Sequence, residues 1–206
     1  MPDPKLSRLT AEKWSLLAIA VMLAIAVVVW PSLPAQVPIR WTGHHVDAYG
    51  SKALALLFLP LSGVGLLLLL RSGPTNDGGL IARLRALACG IFLIVYVDMV
   101  AMMRGTFIDN AIVLGTALLL FGVGLPRLSA DTIPGARASA ALDTLRALEQ
   151  TNRRARLLFT VLGVAGIGLG LARAPGAIWI VLALLLLGTA ALAARAYAVW
   201  PRRPAS

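Results

Sequence analysis

A chain of 206 residues in which 59% are hydrophobic, 14% are charged and the mean hydropathy is +0.83 has too little polar side-chain surface for a soluble domain; it reads as an all-α polytopic membrane bundle. Its net charge of +10 and pI of about 11.2 do not make nucleic acid a direct partner, because the basic residues sit in short segments beside apolar runs, where topology and anionic lipid headgroups account for them. The single cysteine, Cys89, lies within an apolar run and excludes an intramolecular disulfide or a thiolate metal cluster.

A hydrocarbon core of roughly 30 Å is crossed at about 1.5 Å per helical residue. On that measure six stretches are predicted to span: Trp14 to Trp30, Ala53 to Leu70, Leu84 to Met103, Ala111 to Leu125, Leu157 to Leu171 and Ala177 to Tyr197. The fourth and fifth are short as drawn and must borrow flanking residues or have their ends shielded by neighbours. Lys5, Arg8 and Lys13 precede the first, but its apolar run exceeds that of a signal peptide and no small-x-small cleavage site follows, so it is expected to be a retained anchor.

Lys and Arg resist translocation and collect on the cytoplasmic side. With the N-terminus inside, fifteen of them fall in the inner segments or the adjoining span ends, Arg85 and Arg195 among the latter; only Arg40, Lys52, Arg104 and Arg173 fall on the outer side. Six transmembrane helices with both termini inside are therefore expected. Trp14, Trp30, Trp179 and Trp200 near the span ends agree with this, since an amphipathic ring prefers the interface.

Between the first two spans, Pro31, Pro34 and Pro38 restrict φ and disfavour helix, Trp41 offers a large amphipathic anchor, and Asp47 to Gly50 reads as a turn into the second span. Ser51 is placed to cap that helix. Lys52 at a helix N-terminus carries the wrong sign for the dipole, which predicts a specific partner: Asp47, Asp98 or an external anionic group. His44 and His45 point to opposite faces of an extended backbone and, with Asp47, do not complete a recognisable zinc set. Paired carboxylates, a nucleophile motif and a phosphate-cradling glycine loop are all missing, so no enzyme, cofactor or metal is expected.

Within the spans, Pro60 is expected to bend the second helix. Asp98 falls in the outer half of the third, where an ionised carboxylate is costly unless paired or wetted. It is either a ligand or proton site or a carboxylate snorkelling to the interface. Arg104, six residues on, lies about 600° around the helix and does not share its face, which leaves Arg40, His44 and His45 as candidate partners. Gly163, Gly166, Gly168 and Gly170 crowd the fifth span, and the Gly166 and Gly170 spacing lets helix backbones approach closely. Ahead of that span, Leu142, Leu145 and Leu148 recur every three residues beside Arg146, Glu149 and Arg153, consistent with a short amphipathic helix that docks a partner or lies flat on the bilayer.

Two segments resemble one family. LPAQVPIRW followed by VDAYGSK is similar to the N-terminal module of SdpI-like bacterial membrane proteins, with its pattern LPxxVPxHW and DxxGSK or DGYGSK; Arg40 stands where that family has histidine. LPRLSADTIPGAR resembles the family's second signature, LPxLxxNxxxGxR, placing Asp131, Gly135 and Arg137 at its asparagine, glycine and arginine. Thr151 to Arg153 falls where the family has Thr-His-Arg, while Ala138, Ser139 and Ala140 replace its Thr-Pro-Trp.

The resemblance implies a multi-pass protein of the bacterial cytoplasmic membrane that confers immunity to a secreted peptide toxin and signals by holding a small transcriptional repressor at the membrane. It implies a two-helix module over residues 1–70, with an extracytoplasmic loop at 31–52, and a four-helix SdpI-like module over 71–206, with a cytoplasmic loop at 126–156. Trp41, Asp47, Lys52 and Asp98 are then the candidate ligand or signal residues, and Arg127, Asp131, Gly135, Arg137 and Arg153 the candidate partner or lipid contacts. A small transporter using Asp98 and an accessory subunit of a membrane complex are the rival readings.

Overall fold

The computed structural model describes residues 4–42, 45–71, 78–125 and 139–199. Among them are six α-helices: α1 (Pro4–Val29), α2 (Lys52–Arg71), α3 (Gly78–Met103), α4 (Asn110–Gly124), α5 (Ser139–Leu171) and α6 (Ala177–Val199). All but α4 contain a stretch long and apolar enough to cross a membrane, namely Thr10–Ser32, Lys52–Leu70, Ile81–Met103, Glu149–Leu171 and Ala177–Arg195. The chain is thus a multi-pass membrane protein with five candidate spans. The fifth predicted span gains its missing length by running back to Glu149 in one continuous helix. The fourth stays short: the 15 residues of α4 reach about 22 Å.

The structure corrects the all-α expectation between α1 and α2. After a 3-10 turn at Trp30–Ser32, the chain forms strands β1 (Gln36–Thr42) and β2 (His45–Ser51), paired antiparallel. Asp47 to Gly50, expected as a turn, lies inside β2. Pro38 can lie in this sheet because a two-stranded ribbon leaves each strand an outer edge, where a missing N–H breaks no ladder. Register shifts at Pro38/Arg40 and Arg40/Trp41 let strands of this composition pair.

By packing, the chain divides into two compact units, Met1–Asp109 and Asn110–Ser206. The first holds α1, α2, α3 and the hairpin, so α3, expected with the C-terminal module, packs with α1 and α2. Its core is built of side chains: Ile19, Met22 and Ala26 of α1, Leu56 of α2, and Cys89, Tyr96 and Val100 of α3. Arg85, counted from sequence among the inner charges, is buried between α3 and α1, with Nη2 donating to Glu12 Oε1 at 3.4 Å. The unit's last helix ends in a Schellman cap on Gly105 (φ 78°): Gly105 N donates to Met102 O and Thr106 N to Ala101 O, both at 2.9 Å.

The second unit is built on backbone contact. Ala111, Gly115, Leu118 and Gly122 form the buried face of α4, which runs antiparallel to α5. A Cβ on Gly115 would stand 2.6 Å from Ile167 N, and one on Gly122 only 2.5 Å from Thr160 N. The sequence singled out Gly166 and Gly170; the close approach centres instead on Gly163 and Gly166, met by Leu119 and Gly115. Leu118, Leu162 and Val181 complete a small core with α6, and Phe121 meets Phe159 edge-on at 4.9 Å.

Candidate functional site

The hairpin is fastened where α1 ends and α2 begins. A helix leaves its last carbonyls without intrahelical partners, and Lys52, the first residue of α2, supplies donors to carbonyls just past α1: its Nζ donates to Trp30 O at 3.1 Å and to Leu33 O at 2.9 Å. The same ammonium sits 5.0 Å from the centroid of the Trp30 ring, a cation–π arrangement. The Lys52 backbone N–H donates to Ala35 O at 3.1 Å. Lysine is thus the wrong sign for its own helix N-terminus and the right sign for the end of α1. The expected partners of Lys52, Asp47 and Asp98, are not the ones found. Nor does Ser51 make a capping bond among the described residues; it is the last residue of β2.

Above this clamp, Val37 is fully buried while alternate residues of β2 are exposed: His45, Asp47, Tyr49 and Ser51. Ile39 lies over Gly50, where an added Cβ would stand 2.9 Å from Ile39 Cδ1. Arg40 faces Asp47, Nε to Oδ2 at 4.0 Å, with the arginine side chain 78% exposed; this surface pair contributes little to stability. The backbone of Trp41 lies in β1 opposite Val46. Residues 33–41 and 46–52, which carry the first resemblance, thus turn out to be the two strands of one hairpin and its fastening lysine.

Asp98 is not brought to this site. It lies near the C-terminal end of α3, its Oδ1 is buried, and among the described residues it has no hydrogen-bond or ion-pair partner. Arg40, a proposed partner, pairs with Asp47 instead; His44 lies outside the described residues. Arg127, Asp131, Gly135 and Arg137 also lie outside them, whereas Arg153 is exposed on α5. Sequence reading missed the Arg85–Glu12 pair, whose partners are 73 residues apart and share no motif. It also passed over the buried Tyr96, whose hydroxyl has no hydrogen-bond partner among the described residues. Among those residues no group of three or more His, Cys, Asp or Glu is placed to hold a metal ion.

The model of a domain of unknown function (DUF1648) matches residues 17–64, taking in the second half of α1, the whole hairpin and about the first two thirds of α2. No curated protein and no solved structure matches the chain. The class so defined is a multi-pass membrane protein that carries a DUF1648 segment.

Proposed function

We propose that this is an SdpI-like protein of the bacterial cytoplasmic membrane, with six spans and both termini inside, which senses or gives immunity to a secreted peptide toxin without catalysis. The observation that carries the reading is the hairpin: the first family-like signature folds into one unit with a buried, clamped base and an exposed face. Base residues Val37, Gly50 and Lys52 build the unit. Arg40, Asp47 and Tyr49 lie on the exposed face of the hairpin, where a peptide can reach them, with Trp41 next to Arg40 in β1. Arginines and lysines biased fifteen to four support the orientation that puts this face outside. Ligand binding to the hairpin alters the ends of α1 and α2 through Lys52, and the inner segment bearing Arg127, Asp131, Gly135 and Arg137 passes the change to a cytoplasmic repressor.

The test is growth of the source strain in its own spent medium after deletion of this gene. Growth arrest rescued by the wild-type gene, and not by an equally expressed Arg40→Glu/Tyr49→Ala variant, is the expected result. Indifference of the deletion strain to spent medium removes the reading. A transporter is the second reading, favoured by the buried and unpartnered Oδ1 of Asp98; pH-dependent uptake into proteoliposomes, abolished by Asp98→Asn, would establish it.

A further inference from the structure

We propose that the exposed side of α5 is a binding site for one anionic phospholipid, with the lipid phosphate held between Arg153 and Arg154. From Arg153 onward the exposed positions of this helix are Arg153, Arg154, Leu157, Val161, Val164, Gly168 and Leu171. At about 100° per residue they fall within roughly 100° of arc. The opposite side carries the buried Leu162, Gly163, Gly166 and Gly170, three of which face or flank the α4 contact. The outward stripe is therefore a true second face, charged at one end and apolar below it: Leu157 is 68% exposed and Val164 58%.

The position of the two guanidinium groups along the helix pair follows from α4. Arg156, two residues further along α5, turns inward and its Nε donates to Gly122 O at 3.4 Å, in the last turn of α4. Arg153 and Arg154 thus stand beside the end of α4 and in the first two turns of the Glu149–Leu171 stretch, from which a long guanidinium side chain reaches the headgroups, while Leu157, Val161 and Val164 lie deeper in the same stretch. Among the described residues no carboxylate pairs with Arg153 or Arg154, so both retain charge and donors. Two planar forks straddling one apolar stripe match a phosphate diester above two hydrocarbon tails. Gly168 leaves the stripe flat, since a Cβ there would meet nothing within 4 Å.

The experiment is native mass spectrometry of the full chain released from micelles containing equal phosphatidylglycerol and phosphatidylethanolamine. The expected result is retained phosphatidylglycerol in preference to phosphatidylethanolamine, with each guanidinium worth about fivefold. Arg153→Gln/Arg154→Gln abolishes the preference, Arg153→Lys/Arg154→Lys keeps part of it, and Arg173→Gln at the far end of α5 leaves it intact. Excess inorganic phosphate does not displace the lipid. Equal retention of the two lipids by the wild type, or an unchanged preference in the double glutamine variant, overturns the proposal. So does a wild type without lipid preference whose co-purifying protein is lost in that variant, which assigns the arginines to a protein partner. Thermal unfolding at the wild-type temperature checks that the variant is folded.

Discussion

The two halves of this molecule join their helices in opposite ways. Residues Met1–Asp109 interlock large side chains, with Met22, Leu56 and Tyr96 fully buried, and add polar fastenings at two levels, Arg85 to Glu12 and Lys52 to the end of α1. Residues Asn110–Ser206 remove side chains and bring two backbones together at Gly115, Gly122, Gly163 and Gly166. In lipid, where apolar surface gains little from leaving its surroundings, both solutions depend on close packing and satisfied polar groups. The first keeps room for a specialised hairpin; the second makes a thin, close pair whose outward face is left to the bilayer.

The largest effects should come from reversing each solution. Gly163→Val pushes a side chain into Leu119 and is expected to cost about 3 kcal/mol, as is Met22→Ala by leaving a void in the first unit; Gly168→Ala should cost nothing and raise stability by up to about 1 kcal/mol, since its Cβ meets nothing and Ala is the better helix former. Unfolding of the purified protein in mild detergent measures all three. Equal effects at Gly163 and Gly168 would break the contrast drawn between the units.

Next, Arg85→Ala removes the hydrogen bond from α3 to α1 and should cost about 2 kcal/mol, read in the same assay. A smaller cost is expected from Lys52→Met, about 1.5 kcal/mol for the lost charge-assisted bonds. Its distinguishing mark is local: amide exchange at Val37 and Gly50 speeds up while exchange within α4 and α5 does not change.

A further small effect sharpens the comparison at the helix ends. The α3 cap rests on glycine, whereas α5 ends in the same bonding pattern, Arg173 N to Gly170 O and Ala174 N to Leu169 O, both at 3.0 Å, with Arg173 at φ 52°. A side chain costs energy in that left-handed conformation. Arg173→Gly should therefore raise stability by about 1 kcal/mol, seen as a higher melting temperature.

Membrane class, the helices and their approximate extents were legible in the sequence because hydropathy over about 20 residues is a local property that a bilayer reads directly. The abundance of glycine in the fifth span gave the packing mode. It did not give the partners, because 3.6-residue periodicity names a face and not what lies against it. The hairpin was hidden for a different reason. Its prolines and the Asp47 to Gly50 segment carry turn signals, and strand pairing there is decided by cross-strand register and by the anchoring at Lys52, which joins residues 19 and 22 positions apart.

The sequence by itself thus determined that this chain lives in a membrane as packed helices and that its basic residues gather toward the ends of the apolar stretches. Which residues meet was settled only by tertiary structure: Lys52 with the end of α1, Arg40 with Asp47, Arg85 with Glu12, Gly115 with Gly166. The physical reason is that insertion depends on each segment's own transfer energy, whereas hydrogen bonds and close contacts require two distant segments to arrive at one place with matching geometry.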